Sequence, residues 1–212
     1  HNGMPALQAP ASSRRTAGAP VRLVMTARLD EQKDHRTLLQ ALGSLRDVDW
    51  RLDLIGDGPL LATLQELAQQ LQIADRIRFL GMRNDVAELL GGSDIFLLVS
   101  HWEGFPRSIL EGMRAGLPVI ATDVAGVSES VAEGRTGFLV PRGNAEVLAE
   151  RIRRLLADAN LRLSMGQAGL ERFGQEFTFA QMFQRTLAVY DEVMLERGLA
   201  TRFLPLLGRA SS

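Results

Sequence analysis

The chain contains no cysteine, which excludes a disulfide framework and any thiolate nucleophile or thiolate metal ligand. It also lacks an apolar run of membrane-spanning length, and no signal-peptide pattern opens it. A cytoplasmic protein is therefore expected, free or peripheral to the inner face of a membrane. Charge of one sign is missing too. With 24 Lys and Arg against 25 Asp and Glu the net charge is -1, which leaves no footprint for nonspecific nucleic-acid binding. Any anion site must then be built by local geometry. The three histidines, His1, His35 and His101, stand at no metal-ligand spacing, and the carboxylates do not cluster as a hard cation requires. No obligatory metal or cofactor is expected. What is present is a 46% hydrophobic content over 212 residues, enough for a substantial core but short for a two-domain enzyme.

The first 20 residues are rich in Ala, Ser, Pro and Gly without apolar period and read as a linker. From Val21 onward, short apolar runs at Val21 to Thr26, Trp50 to Ile55, Ile77 to Leu80, Ile95 to Val99, Val119 to Thr122 and Gly137 to Val140 alternate with helical stretches. That alternation predicts an α/β domain over residues 21–198, a Rossmann-like parallel sheet with helices on both faces. Leu60, Leu61, Leu64, Leu67, Ala68 and Leu71 recur at helical spacing, and Pro59 is expected to start their helix. Toward the end Asn144 is placed to cap a helix running to Ala157, and Thr178 with Gln181 to open one running to Glu196. Residues 199–212 form a short tail, in which Phe203 to Leu207 suits packing on another domain better than a membrane surface because Pro205 interrupts any helix.

The segment Ser100-His-Trp-Glu103-Gly-Phe-Pro106-Arg-Ser-Ile-Leu-Glu111 carries two carboxylates eight residues apart across a Gly-Phe-Pro turn. Pro106 suits a first helical position, so Glu103 should end a strand and Glu111 should lie on the next helix, both toward the crevice where open α/β sheets bind ligands. Two acceptors there suit a ligand rich in hydroxyls. Free amides around Arg107, Ser108 and Ile109 add an anion site at the helix start. Arg28 and Lys33, on the loop after the first strand, can reach a pyrophosphate at the same edge, although Asp30, Glu31 and Asp34 also allow an ordinary salt-bridged loop.

The Glu-x7-Glu segment, with Gly116-Leu-Pro-Val-Ile-Ala-Thr122 and Gly126-Val-Ser-Glu129, resembles the signature of retaining GT-B glycosyltransferases of the group 1 family, and the resemblance runs from about Val21 to Tyr190. It implies one half of a GT-B fold, the C-terminal donor-binding half, with a nucleoside-diphosphate sugar as substrate and a glycan, lipid or small-molecule hydroxyl as acceptor. By the same resemblance Glu103 contacts the transferred sugar, with Gly104 and Phe105 beside it, Glu111 holds the ribose, and Arg28 and Lys33 grip the diphosphate. Gly81, Met82 and Arg83 then contact the base, largely through backbone groups. The opening His1-Asn-Gly-Met4 resembles the interdomain hinge of these enzymes, which implies a missing N-terminal acceptor domain; a cloning remnant is the alternative. Gly112 stands where the family more often has Ala, a change that costs a helix roughly 1 kcal/mol and suits close packing.

Other features are expected to be structural. Gly56-Asp-Gly58-Pro imitates a dinucleotide fingerprint, but Leu61 occupies the place of its third glycine, so a tight turn is expected. Asp47-Val-Asp49 precedes the second strand, at the wrong edge for a donor metal, and reads as a surface turn. Trp102 is expected to pack beside its buried strand, and Phe105, between the two Glu residues, to be the better sugar-facing aromatic. The same architecture also serves nucleotide-sugar epimerases and sugar phosphorylases, and a non-catalytic nucleotide-sugar-binding module is a further alternative.

Overall fold

A computed structural model describes residues 18–197. The proposed hinge around Asn2 and the tail at 199–212 therefore lie outside the described residues, as does most of the linker.

Six strands form the sheet: β1 (Val21–Thr26), β2 (Trp50–Ile55), β3 (Ile77–Phe79), β4 (Ile95–Leu98), β5 (Val119–Thr122) and β6 (Gly137–Val140). All neighbours are parallel, in the order β3-β2-β1-β4-β5-β6. The apolar runs predict these strands well because a parallel sheet is covered on both faces, so its inner strands need not alternate. Every residue of β4 and β5 is buried. The registers align Leu23 with both Leu52 and Ile95, which carries one apolar layer across the middle of the sheet.

The helices are α1 (His35–Gly43), α2 (Leu61–Gln70), α3 (Val86–Gly91), α4 (Arg107–Arg114), α5 (Ala145–Ala157), α6 (Ala159–Glu176) and α7 (Phe179–Glu196). α1 packs against α2 and α5, and α4 against α3 and α6, giving one helical layer on each face. Side-chain caps define several starts: Asp34 accepts the Thr37 amide, Asn144 that of Val147, and Thr178 that of Gln181. Two proline expectations shift. Pro106 is the cap residue of α4, with extended ψ of 106°, and is not its first helical residue. Pro59 lies ahead of α2, whose cap is Leu60; the Leu60 amide instead bonds the Leu29 carbonyl, tying this turn to the loop after β1.

Gly112 meets Phe96 so closely that an added Cβ would lie 2.6 Å from the ring. The glycine lets α4 sit directly on β4, which accounts for the departure from alanine. From β1 the chain winds outward to β3 and then crosses to β4 on the other side of β1. That reversal places a crevice at the carboxyl ends of β1 and β4.

Candidate functional site

The loops after β1 and β4 are stitched together across this reversal. The Asp34 amide donates to the Val99 carbonyl at 3.0 Å and the His101 amide to the Gln32 carbonyl at 2.8 Å, while the Gln32 side chain donates to the Trp102 carbonyl at 3.0 Å. At the end of this seam the Lys33 ammonium donates to Glu103 Oε1. The two side chains are only 15% and 6% exposed, so both charges are largely out of water and each depends on the other. Ser100 Oγ donates to the same oxygen at 2.6 Å, and the Ser100 amide is fixed in turn by Thr122 Oγ1 on β5. Glu103 Oε2 has no partner among the described residues and can accept from ligand hydroxyls. Lys33 keeps two further N–H donors.

Glu111 lies on α4 and is half-buried. Burial pushes its carboxyl above the ordinary value, against the opposing charges of Arg114 and Arg107. At the start of α4 no side chain caps the helix. The Arg107 and Ser108 amides have no partner among the described residues, whereas the Ile109 amide already donates to the Pro106 carbonyl at 3.2 Å. The expected anion site is thus narrowed to two amides, aligned with the positive end of a helix dipole.

Arg28 does not join this cluster. Its side chain is 74% exposed and stands 3.5 Å from Asp30, the surface pairing that the neighbouring acids allow. Gly81 adopts a φ of +64° and accepts the Gly56 amide at 2.9 Å, which fixes the turn after β3. Met82 on this turn is 80% exposed, and Arg83 is held by Asp85 through two bonds of 2.8 and 2.6 Å. Gly56 and Gly58 let their turn lie on the backbone of Ala27 to Leu29, where an added Cβ would stand 2.0 and 2.3 Å from a carbonyl oxygen. Their expected structural role is seen.

The burial of the two aromatics differs from expectation for Trp102, which does not pack beside its strand. Trp102 is 56% exposed, while Phe105 is partly buried, its ring 5.9 Å from that of Phe177. Sequence reasoning missed Ser100, whose Ser-x-x-Glu spacing resembles a capping box but here orients a carboxylate. It also missed the part played by Gly126, which has a φ of +82° and packs so tightly that a Cβ would lie 1.3 Å from the Gly104 carbonyl oxygen. The loop after β5 therefore braces the Gly104 turn. A neighbouring cavity of about 330 Å³ is lined by residues including Lys33, Asp34, His35 and His101. His35 is buried, with Nδ1 2.7 Å from the Lys33 carbonyl, and burial lowers its pKa. Among the described residues no group of three or more His, Asp or Glu could hold a metal ion. No helix among them is long and apolar enough to cross a membrane.

Residues 13–172 match the model of the family described as glycosyl transferases group 1. The chain is 34% identical over 173 residues to an N-acetyl-alpha-D-glucosaminyl L-malate synthase of Bacillus anthracis, covering 81% of this chain and 45% of that protein. It is 34% identical over 162 residues to a lipopolysaccharide core biosynthesis glycosyltransferase of Rhizobium meliloti, covering 76% and 47%. An Anabaena protein solved in complex with UDP superposes with a TM-score of 0.76 at 26% identity, covering 82% of this chain and 49% of that one. The chain spans a little under half the length of these relatives.

Proposed function

The chain belongs to the group 1 glycosyl transferases, and on that premise we propose that it is the donor-binding half of a retaining GT-B glycosyltransferase acting in the cytoplasm. The donor is a nucleoside-diphosphate sugar, and the acceptor is the hydroxyl of a glycan, lipid or small molecule presented by an N-terminal domain outside this sequence. The observation that carries this reading is the buried Lys33–Glu103 contact at the sheet reversal, because each member keeps hydrogen-bonding capacity suited to one part of such a donor.

In this arrangement the free donors of Lys33 and the Arg107 and Ser108 amides hold the diphosphate, and Arg28 swings from Asp30 to join them. Glu103 accepts from sugar hydroxyls through Oε2, and Glu111 accepts from the ribose. The turn of Gly81, Met82 and Arg83 takes the base. As the glycosidic bond breaks, negative charge grows on the leaving diphosphate. A prepositioned ammonium and oriented amides stabilise that charge without reorganising, the usual source of most catalytic effect. Glu103 thereby orients the sugar and fixes Lys33 at once.

The test is calorimetric titration of the chain with UDP, other nucleoside diphosphates and their sugars, with and without a chelator. Binding on the order of micromolar to millimolar that persists in chelator is expected. Absence of binding across the panel would overturn the proposal, and a strict need for magnesium or manganese would overturn the role given to the cation and amides.

A further inference from the structure

We propose that Trp102 is the platform on which the acceptor rests, and that the acceptor is a pyranoside lying with its apolar face against the indole. This rests on the reading of the crevice as a nucleotide-sugar site and adds the chemical class of the second substrate.

The chain has two tryptophans, and they lie in opposite environments: Trp50 is fully buried and Trp102 is 56% exposed. Among the described residues outside α6 and α7, the exposed large apolar side chains are Met82 and Trp102, and both stand on loops at the carboxyl edge of the sheet. Trp102 is held for display. Its carbonyl accepts from the Gln32 side chain, and the Gln32 backbone carbonyl accepts from the His101 amide. The His101 ring stacks beside the indole, with centroids 6.2 Å apart and planes 25° from parallel. Ordering of this loop is thus largely complete before any ligand arrives, which lowers the entropic cost of binding.

Position then selects the substrate. Glu103, the next residue, turns inward to Lys33 and is 6% exposed, so the transferred sugar belongs on the inner side of Trp102. On the other side of Glu103, Gly104 is exposed and has no atom within 4 Å of where a Cβ would stand. We therefore assign the exposed Trp102, the sequence neighbour of Glu103, to the molecule that brings the incoming hydroxyl. The aliphatic C–H face of a pyranose gains contact area and a favourable interaction with the aromatic face, whereas a small hydroxy acid has no such face and gains little.

The tryptophans supply the readout. Iodide at constant ionic strength should quench Trp102 and spare Trp50, and Trp102→Phe should remove the quenchable component. With UDP bound, as checked by calorimetry, methyl pyranosides on the order of 0.1 M, suited to a millimolar site, should shield Trp102 from iodide. Calorimetry with the same glycosides should show a loss of about tenfold or more for Trp102→Ala, a factor worth about 1.4 kcal/mol, substantial retention for Trp102→Phe, and unchanged UDP affinity in both variants. Exposed as it is, this side chain can be replaced without disturbing the core. The proposal is overturned if UDP binds but no pyranoside shields Trp102, if L-malate shields it equally, or if a UDP-sugar alone gives the full effect, which would assign the indole to the donor. Failure of UDP itself to bind would instead remove the nucleotide-site reading, and this inference with it.

Discussion

Two ion pairs at opposite edges of the sheet differ in every respect that matters for function. At the amino edge Asp47 and Arg153 form two parallel bonds of 2.6 and 2.9 Å, with side chains 61% and 47% exposed. The pair is closed on itself and bathed in water. At the carboxyl edge Lys33 and Glu103 are largely buried and joined through one carboxylate oxygen. Burial makes that pair expensive, since desolvation offsets much of the mutual attraction, and its geometry leaves Glu103 Oε2 and two ammonium protons uncommitted. The Arg107 and Ser108 amides and half-buried Glu111 add to this surplus. Unused hydrogen-bonding capacity, held partly out of water, distinguishes the carboxyl edge, where we propose the donor binds, from the amino edge.

The largest effect should come from splitting the buried pair. Lys33→Ala leaves the Glu103 carboxylate with Ser100 alone and should destabilise the fold by about 3 kcal/mol in urea denaturation. Diphosphate binding should weaken by roughly 1.5 to 3 kcal/mol through loss of a charged hydrogen bond. The double variant Lys33→Ala, Glu103→Gln removes the orphaned charge, so it should recover stability but not diphosphate affinity. Recovery of both would confine Lys33 to a structural role. Next in size is the division of labour between the carboxylates. Glu111→Ala should weaken free UDP and a UDP-sugar by similar factors, on the order of tenfold, whereas Glu103→Ala, which also releases Lys33, should weaken the UDP-sugar by clearly more than free UDP. Equal losses of the two ligands in folded Glu103→Ala would sink that division.

Acidity sharpens the contrast further. Burial raises the Glu111 carboxyl above 4.5, so the folded state favours its protonated form. Its contribution to stability is therefore full below the ordinary carboxylate range and is lost as pH rises through the raised value. In the proposed ribose contact the ionised carboxylate accepts more strongly and with both oxygens, so nucleotide affinity should run the other way and fall as pH drops through the same value. Glu111→Gln should be more stable than the parent at neutral pH yet bind UDP more weakly there. Because the diphosphate's own titration is common to both proteins, the pH dependence of their affinity ratio isolates Glu111. A ratio flat from acid to neutral pH would take the carboxylate off the ligand.

Much of the fold was legible because its signals are local. Four-residue runs such as Val119–Thr122 are buried on both faces, so composition alone reveals them, and caps such as Asn144 sit three residues from their targets. The two prolines were read one or two positions early because proline is tolerated both at a cap and just before it. Glu103, Glu111 and Lys33 were legible as candidates, but the contact between Lys33 and Glu103 was not. It exists because β1 and β4 are neighbours, a fact of topology spread over 70 residues of chain. The partial burial of Phe105 has the same origin, since its ring packs on Phe177, at the far end of α6.

The smallest effect should follow breaking the pair at the amino edge. Asp47→Asn removes the carboxylate that the Arg153 hydrogen bond holds below its ordinary range, and with it the partner that raises the Arg153 guanidinium above its own. Both groups are open to water, which replaces the lost partner on each side, and exposed pairs commonly contribute little. Thermal unfolding should therefore change only slightly, and less at high salt, where screening has already weakened the pair. UDP affinity should stay at the parent value, since the Asp47-Val-Asp49 turn precedes β2 and the crevice lies beyond the far end of the strands. A loss of nucleotide binding in this variant, with or without added manganese, would mean that the amino edge carries part of the site and that the distinction between the two edges is wrong.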